Sequence, residues 1–114
     1  MKEGDIALMA LPQANGQTKP RPVLLLRKMP PFGDWLVCGI SSQVQQEVAG
    51  FDEVISPGQG DFRGSGLKAA SLIRLGFLAV VPPNQLLGMI GAISKMRHQL
   101  LLERLAEFLR KKGI

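Results

Sequence analysis

The chain has no tyrosine, one tryptophan, one cysteine and one histidine among its 114 residues. The lone cysteine, Cys38, forms no intrachain disulfide and no cysteine metal cluster, which fits a reducing cytoplasm. His98 falls in a helical stretch with no ligand partner four residues away. No metal site is visible, no cofactor is implied, and a surface or capping role is expected for His98. A Ser-His-Asp triad fails for the same reason, because no histidine lies near a candidate serine in the strand layout below. Long apolar runs are also lacking. The greasiest region, 75–93, is broken by Pro82-Pro83-Asn84-Gln85 and is too short on either side to span a bilayer. The opening Met-Lys-Glu-Gly-Asp lacks the apolar core of a signal peptide. The expectation is a cytoplasmic protein with no membrane association.

What is present is glycine, proline and positive charge. The 13 glycines, 8 prolines and 20% charged residues favour short strands and tight turns over a helical bundle. The length suits one domain, 1–114, with a real core. A net charge of +5 and a pI near 9.9 lean toward a polyanionic or acidic partner. Part of that excess is Arg110, Lys111 and Lys112, which also suit a helix C-terminus.

Alternation of apolar residues gives a first strand over 4–9, then a polar loop over 12–20 holding the turn signal Asn15-Gly16. A second strand over 21–28 begins among Pro20 and Pro22, which cannot donate to a ladder and so predict a strand edge or end. The third strand, 35–42, places Leu36, Cys38, Ile40 and Ser42 on a core face. Trp35, Val37, Gly39, Ser41 and Gln43 share the other face. A fourth strand is expected over 48–55 and a mobile glycine-rich surface loop over 56–66. That loop lacks Walker spacing. One or two strands around Gly76 fill 67–81, and another fills 86–93. From Ser94, an N-cap, the period becomes helical: Met96, Leu101, Leu105, Phe108 and Leu109 line one stripe, with Arg97 and Arg104 outside it and Gly113 as the stop. The fold expected is mainly β with a C-terminal α-helix, a partial barrel of short antiparallel strands with the helix over one open end.

The stretch 19–43 gathers the chemistry. Arg21 stands at the mouth of an apolar strand with its backbone restrained by prolines, and a guanidinium suits phosphate oxygens. Ser41, Ser42 and Gln43 end the next strand. Alternatives stay open at this level: Arg21 pairing with Asp5 or Glu3, the serines merely finishing a strand, and Arg74 serving either a groove or an ion pair.

Five motifs in order resemble the MazF/PemK family of toxin endoribonucleases over nearly the full length. They are Gly4-Asp5-Ile6, Lys19-Pro20-Arg21-Pro22-Val23-Leu24-Leu25, Ile40-Ser41-Ser42-Gln43, Leu72-Ile73-Arg74 and Gly91-Ala92-Ile93-Ser94. The resemblance implies an SH3-like barrel, a homodimer, metal-independent cleavage of single-stranded RNA, and a small antitoxin whose disordered segment blocks the RNA groove. DNA binding is carried over with the family as a further expectation. The family's catalytic arginine and threonine fall on Arg21 and Ser41. Serine keeps the hydroxyl but loses the methyl that stiffens the rotamer. The acid–base pair that some PemK-type members use on the later strand is absent, since that region reads Ala69-Ala70-Ser71.

The expected chemistry is in-line attack of the RNA 2′-hydroxyl on the neighbouring phosphate, with Arg21 clamping that phosphate and Ser41 donating to it. The base would be solvent-derived, or a carboxylate such as Asp5 or Asp61. RNA-contacting residues are expected at Lys19, Arg27, Ser42, Gln43 and Arg74, with Trp35 the stacking candidate. Two rival readings are a family member that binds RNA or a protein partner without cutting, and a peptide-binding SH3-like adaptor. The scarcity of aromatics counts against the second.

Overall fold

Two prolines decide where the sheet opens. The computed structural model describes residues 1–113. It shows a curled half-barrel of six antiparallel strands with one C-terminal helix. The strands are β1 (Asp5–Pro12), β2 (Thr18–Met29), β3 (Asp34–Ser41), β4 (Glu53–Ile55), β5 (Ser71–Val81) and β6 (Leu86–Ala92), and the helix is α1 (Lys95–Arg110). Their order across the sheet is β4-β5-β3-β2-β1-β6. β2 is therefore central, but its entry at Pro20 and Pro22 pairs with β1 alone, the strand end that the prolines predict. Its pairing with β1 continues through Pro22 and Pro20, but its pairing with β3 ends at Val23–Gly39. Alternate N–H groups of an antiparallel strand face opposite neighbours. Pro20 and Pro22 lack the donors on the β3 side, so β2 and β3 part and leave a mouth beside Arg21.

Both faces of the sheet are buried in part. Under α1, Leu101 and Leu105 pack with Ile6, Leu24, Leu26, Cys38, Ile40 and Ile73. Inside the curl lies a second cluster of Ala7, Met9, Val23, Leu25, Trp35, Val37 and Val81. The core face expected for β3 holds for Leu36, Cys38 and Ile40 but not for Ser42, which is exposed just past the strand end, and the opposite face is also apolar. Burial pushes the Cys38 thiol far up, so it is an inert core residue.

Several local expectations change. The strands of the first hairpin run on to Pro12 and from Thr18, which shortens the long polar loop to 13–17. That turn is closed by the Gln13 N–H on the Gln17 carbonyl (2.7 Å) and the Gly16 N–H on the Gln13 carbonyl (3.0 Å). The fourth strand shrinks to Glu53–Ile55 behind a short 3₁₀ turn at Val44–Gln46. Helix α1 is capped by Ser94, whose side chain accepts the Arg97 N–H, and it stops at Lys111 before Gly113. Met96 and Leu109 of the apolar stripe stay exposed, whereas Leu101 and Leu105 are buried. His98 donates from Nε2 to the Leu26 carbonyl (2.8 Å), which ties α1 to β2.

The 56–66 segment is tied to the rest of the fold at several points. Asp61 accepts from Arg97 Nε (2.8 Å) and from the Ser94 N–H (3.1 Å). The turn at Arg63–Ser65 also packs backbone to backbone on β6, where a Cβ on Gly91 would lie 2.3 Å from the Gly64 carbonyl oxygen. No side chain can yield there. Gly91→Ala is expected to destabilise the protein by ~1–3 kcal/mol, read as a lower urea midpoint at an unchanged slope. An unchanged midpoint would show that the turn separates freely from β6.

Candidate functional site

At the mouth left by the two prolines is an open pocket of about 360 Å³ on the face of the second cluster. Three strands furnish it. β2 supplies Arg21, the end of β3 supplies Gly39 and Ser41 with Ser42 and Gln43 beyond it, and β5 supplies Arg74 and Phe77. Leu11, Pro12 and Gln13 form the wall on the β1 side. No lining residue is a carboxylate. Two guanidiniums facing polar groups that can donate are chemistry suited to an anion such as a phosphate oxygen.

Arg21 pairs with neither Asp5 nor Glu3. Its Nη2 donates to Gln13 Oε1 (2.9 Å), and Gln13 Nε2 donates to the Leu11 carbonyl (3.1 Å). The second bond sets the amide so that its oxygen faces the guanidinium. Arg21 is thus oriented by a neutral group, and its charge is not cancelled by an acid. Ser41 Oγ accepts the Gln43 N–H (3.0 Å), a local turn that holds the hydroxyl and leaves its proton free to donate. Gln43 Oε1 is taken by Gln45 Nε2 (2.6 Å), leaving the Gln43 amide N–H groups available. Arg74 lies across from Gly39 on β5, lines the pocket and makes no ion pair among the described residues.

Other expected residues fall outside. Trp35 is 3% exposed in the second cluster and offers no stacking face. Simple alternation would put Arg27 on the Arg21 face, but a register shift between Leu25 and Arg27 places it opposite Leu36, on the helix side. There it pairs with Glu3 (3.6 Å). Lys19 is exposed on the hairpin, in register with Leu11 but not in the pocket lining. The two candidate bases are both engaged elsewhere. Asp5 is buried and accepts from the Lys2 N–H (2.8 Å) and Nζ (3.0 Å), while Asp61 is held by Arg97.

The residue that sequence reasoning missed is Phe77. Alternation puts it on the opposite face from Arg74, three positions away. The pairing of β3 with β5 jumps from Cys38–Leu78 to Gly39–Arg74, so Leu75, Gly76 and Phe77 bulge out and both side chains line one pocket. Gly76 inside an apolar strand was the available signal. Among the described residues, no cluster of three or more His, Cys, Asp or Glu side chains could hold a metal ion. Nor, among those residues, is any helix long and apolar enough to cross a membrane.

Comparison with known proteins bears on the family and the fold. A profile of the PemK-like, MazF-like toxin of type II toxin–antitoxin systems matches residues 2–109. Among solved structures, the Mycobacterium tuberculosis toxin MazF-mt6 superposes with a TM-score of 0.66 at 19% identity, covering 96% of this chain and 99% of that one. Comparison with curated proteins gives no match.

Proposed function

Since the chain belongs to the PemK-like, MazF-like toxins of type II toxin–antitoxin systems, we propose that it is a metal-independent endoribonuclease acting on single-stranded RNA. The observation that carries this reading is the pocket itself: two guanidiniums and a held hydroxyl, with no acid to compete for a phosphate. Arg21 clamps the scissile phosphate and Ser41 donates to one of its oxygens. Arg74, Ser42 and Gln43 bind the flanking strand. The 2′-oxygen attacks phosphorus in line, the bond to the 5′-oxygen breaks, and a 2′,3′-cyclic phosphate and a free 5′-hydroxyl result. With no carboxylate in the pocket, the 2′-proton leaves to a solvent base and the departing 5′-oxygen is protonated from solvent. Catalysis is then charge stabilisation and alignment.

The family implies an antitoxin partner, and its blocking segment would occupy this same positive groove. A homodimer and a cytoplasmic location complete the proposal. The pocket's lack of any acid or histidine favours one alternative, a member that binds RNA without cutting. Incubating purified, antitoxin-free protein with a long single-stranded RNA in EDTA separates the two. Discrete cuts support the nuclease, and binding without cuts supports the alternative.

Gln13 acts through Arg21 as a positioning residue. Gln13→Ala is expected to slow cleavage roughly tenfold, mainly in kcat. The Gln13→Ala, Arg21→Ala double variant should be no slower than Arg21→Ala alone. Fully additive losses would show that Gln13 works independently of the arginine.

A further inference from the structure

We infer that Phe77 is the platform on which the nucleobase beside the scissile phosphate stacks, and that the β5 bulge exists to put it there. This rests on the RNA-cleaving reading of the pocket.

Phe77 is 42% exposed in the second half of β5, where Leu78 and Val80 are exposed as well, whereas Leu72, Ile73 and Leu75 in the first half are fully buried. The aromatic ring is not loose. A Cβ on Gly39 would come within 2.9 Å of its Cδ1 and 3.2 Å of its Cγ, so the ring lies against the bare backbone of β3. Any other residue at position 39 would lift it away. The ring is thereby seated one strand position from the Cys38–Gly39 step, beside Arg74 and on the same pocket as Arg21 and Ser41. Base–aromatic stacking needs this combination: a ring seated on one side, open on another, and next to the cations that hold the phosphates.

The bulge is a built feature. It removes Leu75 from the ladder, and its N–H is taken instead by Asp52 Oδ1 (3.1 Å), while Asp52 Oδ2 accepts the Val48 N–H (2.9 Å). Asp52 is itself buried, and its carbonyl accepts from Arg104 Nη1 (2.9 Å) on α1. A buried carboxylate committed to an irregular strand holds Phe77 and Arg74 on one face, where regular alternation would separate them.

The test uses wild type, Phe77→Ala, Phe77→Leu and Phe77→Tyr. Each is checked for an unchanged unfolding midpoint and assayed on an RNA containing the mapped cut site. Phe77→Ala and Phe77→Leu are expected to raise KM by roughly 5- to 100-fold with little change in kcat, and Phe77→Tyr to behave as wild type. In parallel, an uncleavable oligonucleotide with a 2′-deoxy cut site carries 2-aminopurine at each flanking position in turn. Wild type should quench its fluorescence at one position, and Phe77→Ala and Phe77→Leu should not. Cleavage by all four proteins with equal KM and equal quenching would overturn the stacking role and leave the nuclease reading standing. A folded wild type that neither binds nor cuts RNA would overturn both.

Discussion

Replacing Arg21 by alanine is expected to slow RNA cleavage by roughly 100–1,000-fold without unfolding the protein. The guanidinium lies on the pocket side of a strand mouth, and its contact with Gln13 is a single neutral hydrogen bond at 2.9 Å. Little stability depends on it. What the variant loses is the positive charge preorganised at the phosphate, which Arg74 supplies only from the far strand. Arg21→Lys should recover part of the rate, because an ammonium keeps the charge but not the planar fork that meets two oxygens at once. The check is cleavage of one RNA by the three proteins, with circular dichroism showing equal folding.

The largest expected loss of stability comes from Arg97→Ala. Its side chain is 11% exposed and holds three segments together. Nε donates to Asp61 (2.8 Å), Nη1 to Glu53 (3.0 Å) and Nη2 to Gln59 (2.7 Å). Removing it leaves Asp61 enclosed without its cation, while Glu53 keeps Arg104 at 2.9 Å. Breaking a fully buried pair from one side costs ~3–5 kcal/mol, and this partly buried one is expected near the low end, ~3 kcal/mol. Thermal or urea unfolding reads this directly, and a loss below ~1 kcal/mol would show that solvent replaces the guanidinium.

The same cluster has an acid signature. The hydrogen bond from Arg97 holds Asp61 down at about 2, below its ordinary value of 3.8. The unfolded chain therefore takes up the proton first. The Asp61 contribution is fully present above about pH 4 and is lost as pH falls toward 2. In Arg97→Ala that part of the acid dependence should disappear.

The amino-acid sequence carried the sheet, the helix and half of the pocket because each is written in a local pattern. Alternation in 35–42 separated Ser41 from the helix-side core, and the change of period at Ser94 marked the start of the helix to the residue. The irregularities were not legible, since a bulge changes which face a residue uses without changing its neighbours in sequence. One register shift took Arg27 out of the groove, and another brought Phe77 in. Trp35 shows a related limit. Alternation gave its side correctly, but the curl of the sheet buries that side under β1 and β2 residues distant in the chain. The ion cluster on Arg97 was hidden for the same reason, as its partners lie 36 to 44 positions away. Glycine spacing alone made 56–66 read as a loose loop, when Gly66 and Gly91 are the contacts that seat it on β6.

The central claim is that the substrate's own 2′-hydroxyl is the nucleophile and the protein supplies alignment and charge. The most direct measurement places a single 2′-deoxynucleotide on the 5′ side of a mapped cut in an otherwise unchanged RNA, in EDTA. The account predicts that this one bond is no longer cut while the oligonucleotide still binds, and that the all-ribose substrate yields a 2′,3′-cyclic phosphate and a 5′-hydroxyl. Continued cutting at the deoxy position, or a 5′-phosphate on the product, would contradict it.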